Sequence, residues 1–222
     1  MNSKIKKLIE KQLVWKAAEG TKKNEKKIPS GFLNLDKAIG GWPSSTVIEL
    51  IHKEEGIGEI SILTPLMARL SKTTNSWIIL VNPPYIPYAP SIIASGINLS
   101  KILVIQSNHH YETLWAMEQA LSTQDCSIVI GWPKQINERT IRKFKAAARQ
   151  GKTIGFYIID PKQSLINSPV SHKILIEKKS LDIQISILKN YNNKQIKPFL
   201  IKNALAVSQI KSLTYRSFYK TH

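Results

Sequence analysis

The hydrophobic positions of this chain form short continuous runs separated by longer segments with helical spacing. Five of the short runs are rich in Ile, Val and Leu and lack the alternation of a half-exposed strand, as is typical of strands buried on both faces of a parallel sheet. The predicted strands are Val47–Ile51, Trp77–Val81, Ile102–Ile105, Ser127–Gly131 and Thr153–Ile159. Strands that alternate with amphipathic segments predict an α/β fold.

The segments between these strands predict helices. Leu114, Met117 and Leu121, for example, recur at the three- and four-residue spacing of one helix face. The predicted helices are about Gly58–Leu70, Ala89–Ser95, Tyr111–Ser122 and Asn137–Gln150. Two later runs, Lys173–Glu177 and Leu181–Leu188, predict a hairpin. The expected architecture is a mostly parallel central sheet flanked by helices, with a C-terminal antiparallel hairpin.

Charge divides the chain into a core and two basic arms. The net charge is +17; residues 1–27 hold nine lysines and three glutamates, and residues 189–222 hold seven cations and no acid. We therefore predict a basic N-terminal arm or helix over 1–27, a core over 28–188 and a basic C-terminal arm over 189–222. Basic arms on a nearly balanced core favour polyanions or acidic partner surfaces, although they are also compatible with simple solvated tails.

Composition argues against several classes of protein. Cys126 is the only cysteine, so a disulfide framework or a thiolate metal cluster within one chain is excluded, and a reducing cytoplasm is expected. The histidines have no ligand spacing, and no apolar run approaches the roughly 18 to 20 residues that cross a bilayer. We therefore expect no metal site, no cofactor and no membrane as a partner.

The segment 46–63 has the order of a phosphate-binding loop but not its chemistry. A buried strand leads into Gly56 and Gly58, and a helix is predicted to follow. A working loop has a lysine after its last glycine and then a Ser or Thr that holds magnesium, whereas this chain has Glu59 and Ile60. Glu59 would repel a triphosphate. The alternative is an ordinary strand and helix, joined by glycines for tight packing.

The residues before this loop resemble the lead-in to the RecA-like ATPase core. They are Ser30-Gly31, Leu35-Asp36 and Gly40-Gly41-Trp42-Pro43. The resemblance implies a RecA-like core that lacks its ATPase residues, because Gly131 stands where a magnesium-orienting Asp is expected and Asn82-Pro83-Pro84 follows the strand that should precede a water-activating Glu. With Glu59, these departures make ATP hydrolysis unexpected, so we predict that the protein is not an enzyme.

Several phrases resemble one branch of that superfamily, the translesion-synthesis-associated ImuA proteins and the related SulA proteins. They are Glu55-Gly56-Ile57-Gly58-Glu59, Pro83-Pro84-Tyr85-Ile86-Pro87-Tyr88-Ala89-Pro90, Ser95-Gly96-Ile97, Leu114–Leu121, Ser127–Trp132 and Gly155-Phe156. An ImuA-like chain implies a non-catalytic adaptor in the bacterial SOS response to DNA damage. Its partners would be RecA, an ImuB-like polymerase homologue and the replicative error-prone DNA polymerase. A SulA-like chain implies instead a cell division inhibitor that binds FtsZ. The long lead-in favours the ImuA-like interpretation, with SulA as the alternative.

Two sets of candidate site residues follow from charge and apolar spacing. The C-terminal arm mixes cations with apolar anchors that a purely polycationic tail would not need, which predicts a segment that folds on a partner; under the ImuA resemblance that partner is RecA. The partner-binding residues predicted there are Lys194, Lys197, Phe199, Lys202, Leu205 and Lys211.

The second set of candidate site residues covers one side of the helix Asn137–Gln150 and predicts DNA contact, the alternative being a solvated face. It consists of Arg139, Arg142, Lys145 and Arg149.

Two further segments have open interpretations. Ile5, Leu8, Ile9 and Leu13 form one apolar stripe near the N-terminus, which predicts docking on a hydrophobic groove of the core or of a partner. Pro83–Pro90 is compatible with a polyproline ligand, with a rigid loop, or with an exposed aromatic pair of Tyr85 and Tyr88.

Overall fold

One mixed sheet, with eight strands in the described part of the chain, forms the centre of the protein. The computed structural model describes residues 27–54, 58–191 and 195–202. Two short strands, β1 (Lys27–Ile28) and β2 (Trp42–Pro43), pair as a separate antiparallel ribbon. The strands of the main sheet are β3 (Val47–His52), β4 (Trp77–Val81), β5 (Ile102–Ile105), β6 (Cys126–Gly131), β7 (Ile154–Ile159), β8 (Lys173–Lys179), β9 (Asp182–Lys189) and β10 (Phe199–Ile201).

The strand order is β10-β9-β8-β3-β7-β6-β4-β5. The six strands from β8 to β5 run parallel, while β9 and β10 add two antiparallel strands at one edge. The α/β class, the mostly parallel sheet and the C-terminal antiparallel hairpin predicted from the sequence are therefore confirmed. The more specific assignment of this α/β fold as RecA-like stays a prediction.

Helices cover both faces of the sheet. They are α1 (Leu33–Ile39), α2 (Thr64–Thr73), α3 (Ala89–Ala94), α4 (His110–Ser122) and α5 (Glu138–Gly151). Residues of α1 and α2 join one hydrophobic cluster, and residues of α4 and α5 join the other. Successive strand residues point to opposite faces, so Leu50 of β3 lies in the first cluster and Ile51 in the second. No helix in the described part of the chain is long and apolar enough to cross a membrane.

Helix α5 shows how local sequence sets an element's bounds. Asn137 caps its start by accepting a hydrogen bond from the backbone N–H of Thr140, and Lys152 ends it in the left-handed region with φ of 55°. Ile141 and Phe144 are buried on the inner face. Burial of this apolar stripe stabilises the helix far more than propensity does.

Two expectations about elements were wrong in part. The helix predicted over Gly58–Leu70 is broken: a 3₁₀ turn covers Glu59–Ile62, and the α-helix begins only at Thr64. The strand β5 was predicted to be buried on both faces, but it is the outer strand of the sheet, and Leu103 and Val104 are each 42% exposed.

The C-terminal arm contributes a strand to the sheet. Phe199–Ile201 pairs antiparallel with Ile183–Ile185 of β9, and the half-buried Phe199 packs against the hydrophobic core. Residues 1–26 lie outside the described residues, and with them the apolar stripe from Ile5 to Leu13.

His172, just before β8, gives the fold a predicted dependence on pH. Burial, aided by the charge of Lys27, lowers its pKa from 6.5 to about 4. The unfolded chain therefore binds a proton near pH 6.5 that the folded chain accepts only near pH 4, so stability falls as the pH drops through this window. We expect the free energy of unfolding to fall by about 2 kcal/mol between pH 7 and pH 5 from this group, at about 1.4 kcal/mol per pKa unit.

Urea unfolding of the native protein and of His172→Asn at both pH values measures this contribution. The variant should show a smaller pH dependence than the native chain. Equal pH dependence in the two proteins would contradict the assignment.

Candidate partner-binding surface

The parallel strands β3, β4, β5, β6 and β7 all have their carboxyl ends at the same end of the sheet. Open α/β sheets usually bind ligands at this end. Glu54, Asn82, Trp132 and Asp160 lie just beyond the ends of four of these strands. Gly58 and Glu59 of the degenerate phosphate loop follow β3 there.

Glu59 is a buried carboxylate at the start of the 3₁₀ turn Glu59–Ile62. Gly58 precedes it with φ of 91°, a conformation that favours glycine. The Oε2 atom of Glu59 is inaccessible to solvent and has no hydrogen-bond partner in the described part of the chain. A carboxyl group at this position gives a phosphate no cation to bind. Gly56, the other glycine of the predicted loop, lies outside the described residues.

Gly131 has no room for a side chain unless Met117 moves. A Cβ atom built on Gly131 would overlap the sulfur of Met117, which projects from α4 and is buried. The expected magnesium-orienting Asp is therefore missing, and packing of α4 on β6 fills its space.

Asn82 connects three elements by hydrogen bonds at the same end of the sheet. Its backbone lies in the left-handed region with φ of 50°. Its Nδ2 donates to the Ser107 carbonyl at 2.8 Å and to Thr113 Oγ1 at 2.7 Å, and its Oδ1 accepts from the Ser107 N–H at 2.6 Å. Asn82 thus joins the end of β4 to the loop after β5 and to α4. Sequence reasoning did not assign it this role; the signal was an asparagine, which tolerates the left-handed region, before two prolines.

A second polar cluster lies inside the fold. Glu49 of β3 accepts hydrogen bonds from Tyr157 Oη at 2.8 Å and Ser164 Oγ at 2.5 Å, and Lys173 Nζ lies 3.6 Å from its Oε1. Burial and the charge of Glu49 raise the pKa of Tyr157. Because Glu49 and Tyr157 are fully buried, this cluster fastens the segment after β7 to the sheet and presents no group to a partner.

The loop after Asn82 presents large apolar side chains to solvent. Tyr85 is 67% exposed, Ile86 82% and Tyr88 62%, and Ile93 of α3 is also exposed. This exposure agrees with the interpretation of Tyr85 and Tyr88 as an exposed aromatic pair, and the polyproline-ligand and rigid-loop interpretations of Pro83–Pro90 stay open. We name Tyr85, Ile86, Tyr88 and Ile93 the Tyr85 surface. Three of these residues lie within four consecutive positions, and clustered exposed apolar groups are typical of interaction sites.

Comparison with known proteins identifies the family. The family model "Cell division inhibitor SulA" matches residues 45–155, half of the 222-residue chain. This chain belongs to the SulA family. The matched region runs from just before β3 into β7 and includes Asn82, Gly131 and the Tyr85 surface.

Two sequence relatives agree with the family match. The chain is 28% identical over 113 residues to the cell division inhibitor SulA of Yersinia enterocolitica, covering 51% of this chain and 67% of that protein. It is 27% identical over 125 residues to SulA of Serratia marcescens, covering 56% of this chain and 73% of that protein. SulA from Pseudomonas aeruginosa is a structural neighbour with 21% identity and a TM-score of 0.44, covering 51% of this chain and 97% of that one.

The family match decides between the two interpretations made from the sequence. The resemblance to SulA is confirmed, and SulA was the stated alternative. The ImuA-like assignment, which was the main interpretation, is not confirmed.

The residues predicted in the C-terminal arm of this SulA-family chain divide into two groups. Lys197 and Lys202 are exposed on either side of β10, while Phe199 belongs to that strand and packs on the core. Lys194, Leu205 and Lys211 lie outside the described residues.

The predicted DNA-contact residues on α5 also differ from one another. Arg139, Arg142 and Arg149 are exposed, and Arg142 forms a 3.4 Å ion pair with Glu138. Lys145 is half-buried, and its Nζ donates to the Pro169 carbonyl at 2.7 Å. Lys145 therefore anchors the segment after β7, which corrects its expected place on an open basic face.

Proposed function

We propose that this SulA-family chain inhibits bacterial cell division by binding FtsZ, as a cytoplasmic, non-catalytic protein of the SOS response to DNA damage. The family match over residues 45–155 carries the proposal. The relatives named above are cell division inhibitors. The translesion role with RecA, an ImuB-like protein and the error-prone polymerase is not part of it, because the match favours the alternative.

The Tyr85 surface is the proposed contact with FtsZ. It lies within the matched region, and Asn82 fixes the start of its loop through three hydrogen bonds. A loop that is already ordered loses less entropy on binding. Burying one large apolar side chain contributes about 1.5–3 kcal/mol, so a few such groups suffice for a specific contact.

Nucleotide hydrolysis is not part of the proposed activity. Glu59 supplies a negative charge where a phosphate would need a cation, Gly131 has no room for a metal-orienting carboxylate, and the Asn82 amide is occupied by structural hydrogen bonds. The proposed inhibitor therefore acts by occupying a partner's surface.

A binding measurement with surface variants tests the contact. We expect the triple variant Tyr85→Ser, Ile86→Ser, Tyr88→Ser to bind FtsZ of the same bacterium about 100-fold more weakly, equivalent to a loss of about 3 kcal/mol. Titration of purified FtsZ, followed by biolayer interferometry, gives the affinity. All three side chains are exposed, so circular dichroism should show an unchanged fold.

The matched control is the double variant Ile166→Ser, Leu181→Ser. Both side chains are exposed apolar groups outside the matched region, so their loss should leave FtsZ binding within about twofold. Native affinity in the triple variant, or an equal loss in the control, would overturn the assignment of the Tyr85 surface.

A further inference from the structure

We propose that a groove between α4 and α5 binds single-stranded nucleic acid, with bases stacked on Tyr111 and Trp115. This inference is independent of FtsZ binding and uses a different surface. The groove has a volume of about 480 Å³, and its walls are the first half of α4 and the segment that leads into α5.

Two aromatic rings line the α4 side of the groove. Tyr111 is 84% exposed and Trp115 is 64% exposed. They are four residues apart on one helix, which places them on the same face about one turn apart. Exposed rings at this spacing offer consecutive platforms to unstacked bases, and each stacked base contributes about 1–3 kcal/mol.

Polar groups complete the groove and suit the edges of bases. Gln135, Asn137 and Thr140 lie on the opposite side. His110 also lines the groove, and its Nδ1 is inaccessible to solvent and lacks a hydrogen-bond partner among the described residues. An unpartnered buried ring nitrogen is unfavourable unless a ligand or water completes its hydrogen bonding.

The charge around the groove favours a polyanion. Lys143 lines it and forms a loose 3.8 Å ion pair with Glu118, so this lysine is partly neutralised. Lys134 and Arg139 are exposed and directly precede the groove residues Gln135 and Thr140 in the sequence, and neither forms an ion pair within the described part of the chain. The whole chain carries +17. Aromatic platforms next to unpaired cations are typical of single-strand binding, whereas a duplex would keep its bases away from the rings.

Fluorescence anisotropy of a labelled 20-nucleotide oligothymidine tests the inference with the full chain. We expect binding at 50 mM salt that weakens at 200 mM. Tyr111→Ala with Trp115→Ala should reduce affinity about 10- to 100-fold at both salt concentrations. Lys134→Gln with Arg139→Gln should also reduce affinity, and its loss should be largest at 50 mM salt.

Tyr85→Ala with Tyr88→Ala is the matched control, because it removes two exposed tyrosines outside the groove and should leave oligothymidine binding unchanged. Native affinity in the Tyr111, Trp115 variant would overturn the proposal and assign any binding to the basic arms. A duplex bound as tightly as the single strand would also overturn it. The Tyr111, Trp115 variant would overturn the proposal in a third way if it lost FtsZ binding and kept oligothymidine binding. The groove would then be a protein contact.

Discussion

Replacing Glu49 by alanine is expected to lower the free energy of unfolding by about 3–5 kcal/mol, the usual cost of removing one partner from a buried ion pair. The substitution leaves the Lys173 ammonium without its carboxylate. It also removes the carboxylate acceptor of the Ser164 and Tyr157 hydroxyls, although Tyr157 keeps its 3.2 Å contact with Ser168 Oγ. A domain of ordinary stability has only about 5–15 kcal/mol in total, so the variant should be close to unfolding at 37 °C.

Urea unfolding followed by circular dichroism measures the loss. The matched control is Glu177→Ala, which removes a carboxylate from the partly exposed ion pair with Lys53 and should cost only about 1 kcal/mol. Tyr157→Phe should fall between the two, because it removes the hydrogen bonds of the Tyr157 hydroxyl to Glu49 and Ser168 but keeps the carboxylate. Equal losses for Glu49→Ala and Glu177→Ala would show that the buried cluster does not hold the fold together.

The second large effect is expected from Gly131→Asp, which restores the acid that an ATPase would have at this position. We expect a loss of at least about 3 kcal/mol, because the new side chain overlaps Met117 and brings a charge into the core. No ATP hydrolysis should appear, because Glu59 still opposes the phosphates.

Adding Met117→Ala to Gly131→Asp separates the stability lost through steric overlap from the stability lost by burying a charge. The double variant should recover part of the lost stability, since the overlapping sulfur is gone, although a cavity cost of its own remains. Thermal unfolding and a phosphate-release assay are the measurements. A stable Gly131→Asp protein would contradict the packing argument, and one that hydrolyses ATP in the presence of magnesium would contradict the proposed lack of catalysis.

The central strands were predictable because their apolar runs are continuous. Trp77–Val81 has the bounds that the sequence predicts, and both of its neighbours, β5 and β6, are parallel to it. The sequence cannot tell which strand lies at an edge. Ile102–Ile105 resembles a central strand in composition, yet only strand order decides that Leu103 and Val104 remain partly exposed.

Only those features of the candidate site that depend on neighbouring residues in the sequence were predictable. The missing phosphate-loop lysine and the exposed Tyr85 and Tyr88 follow from neighbouring residues. The anchoring role of Asn82 depends on Ser107 and Thr113, which are 25 and 31 residues away, and no local pattern encodes such contacts. Lys145 illustrates the same limit, because a distant carbonyl decides whether a basic side chain points into solvent.

Cell length after controlled expression in the host bacterium tests the central claim most directly. The account predicts that the native chain produces long undivided filaments, and that the Tyr85→Ser, Ile86→Ser, Tyr88→Ser variant at equal abundance leaves cells at normal length. Ile166→Ser with Leu181→Ser should still produce filaments. Normal division in cells that accumulate the folded native chain would contradict the proposed function, and filamentation by the triple variant would contradict the proposed surface.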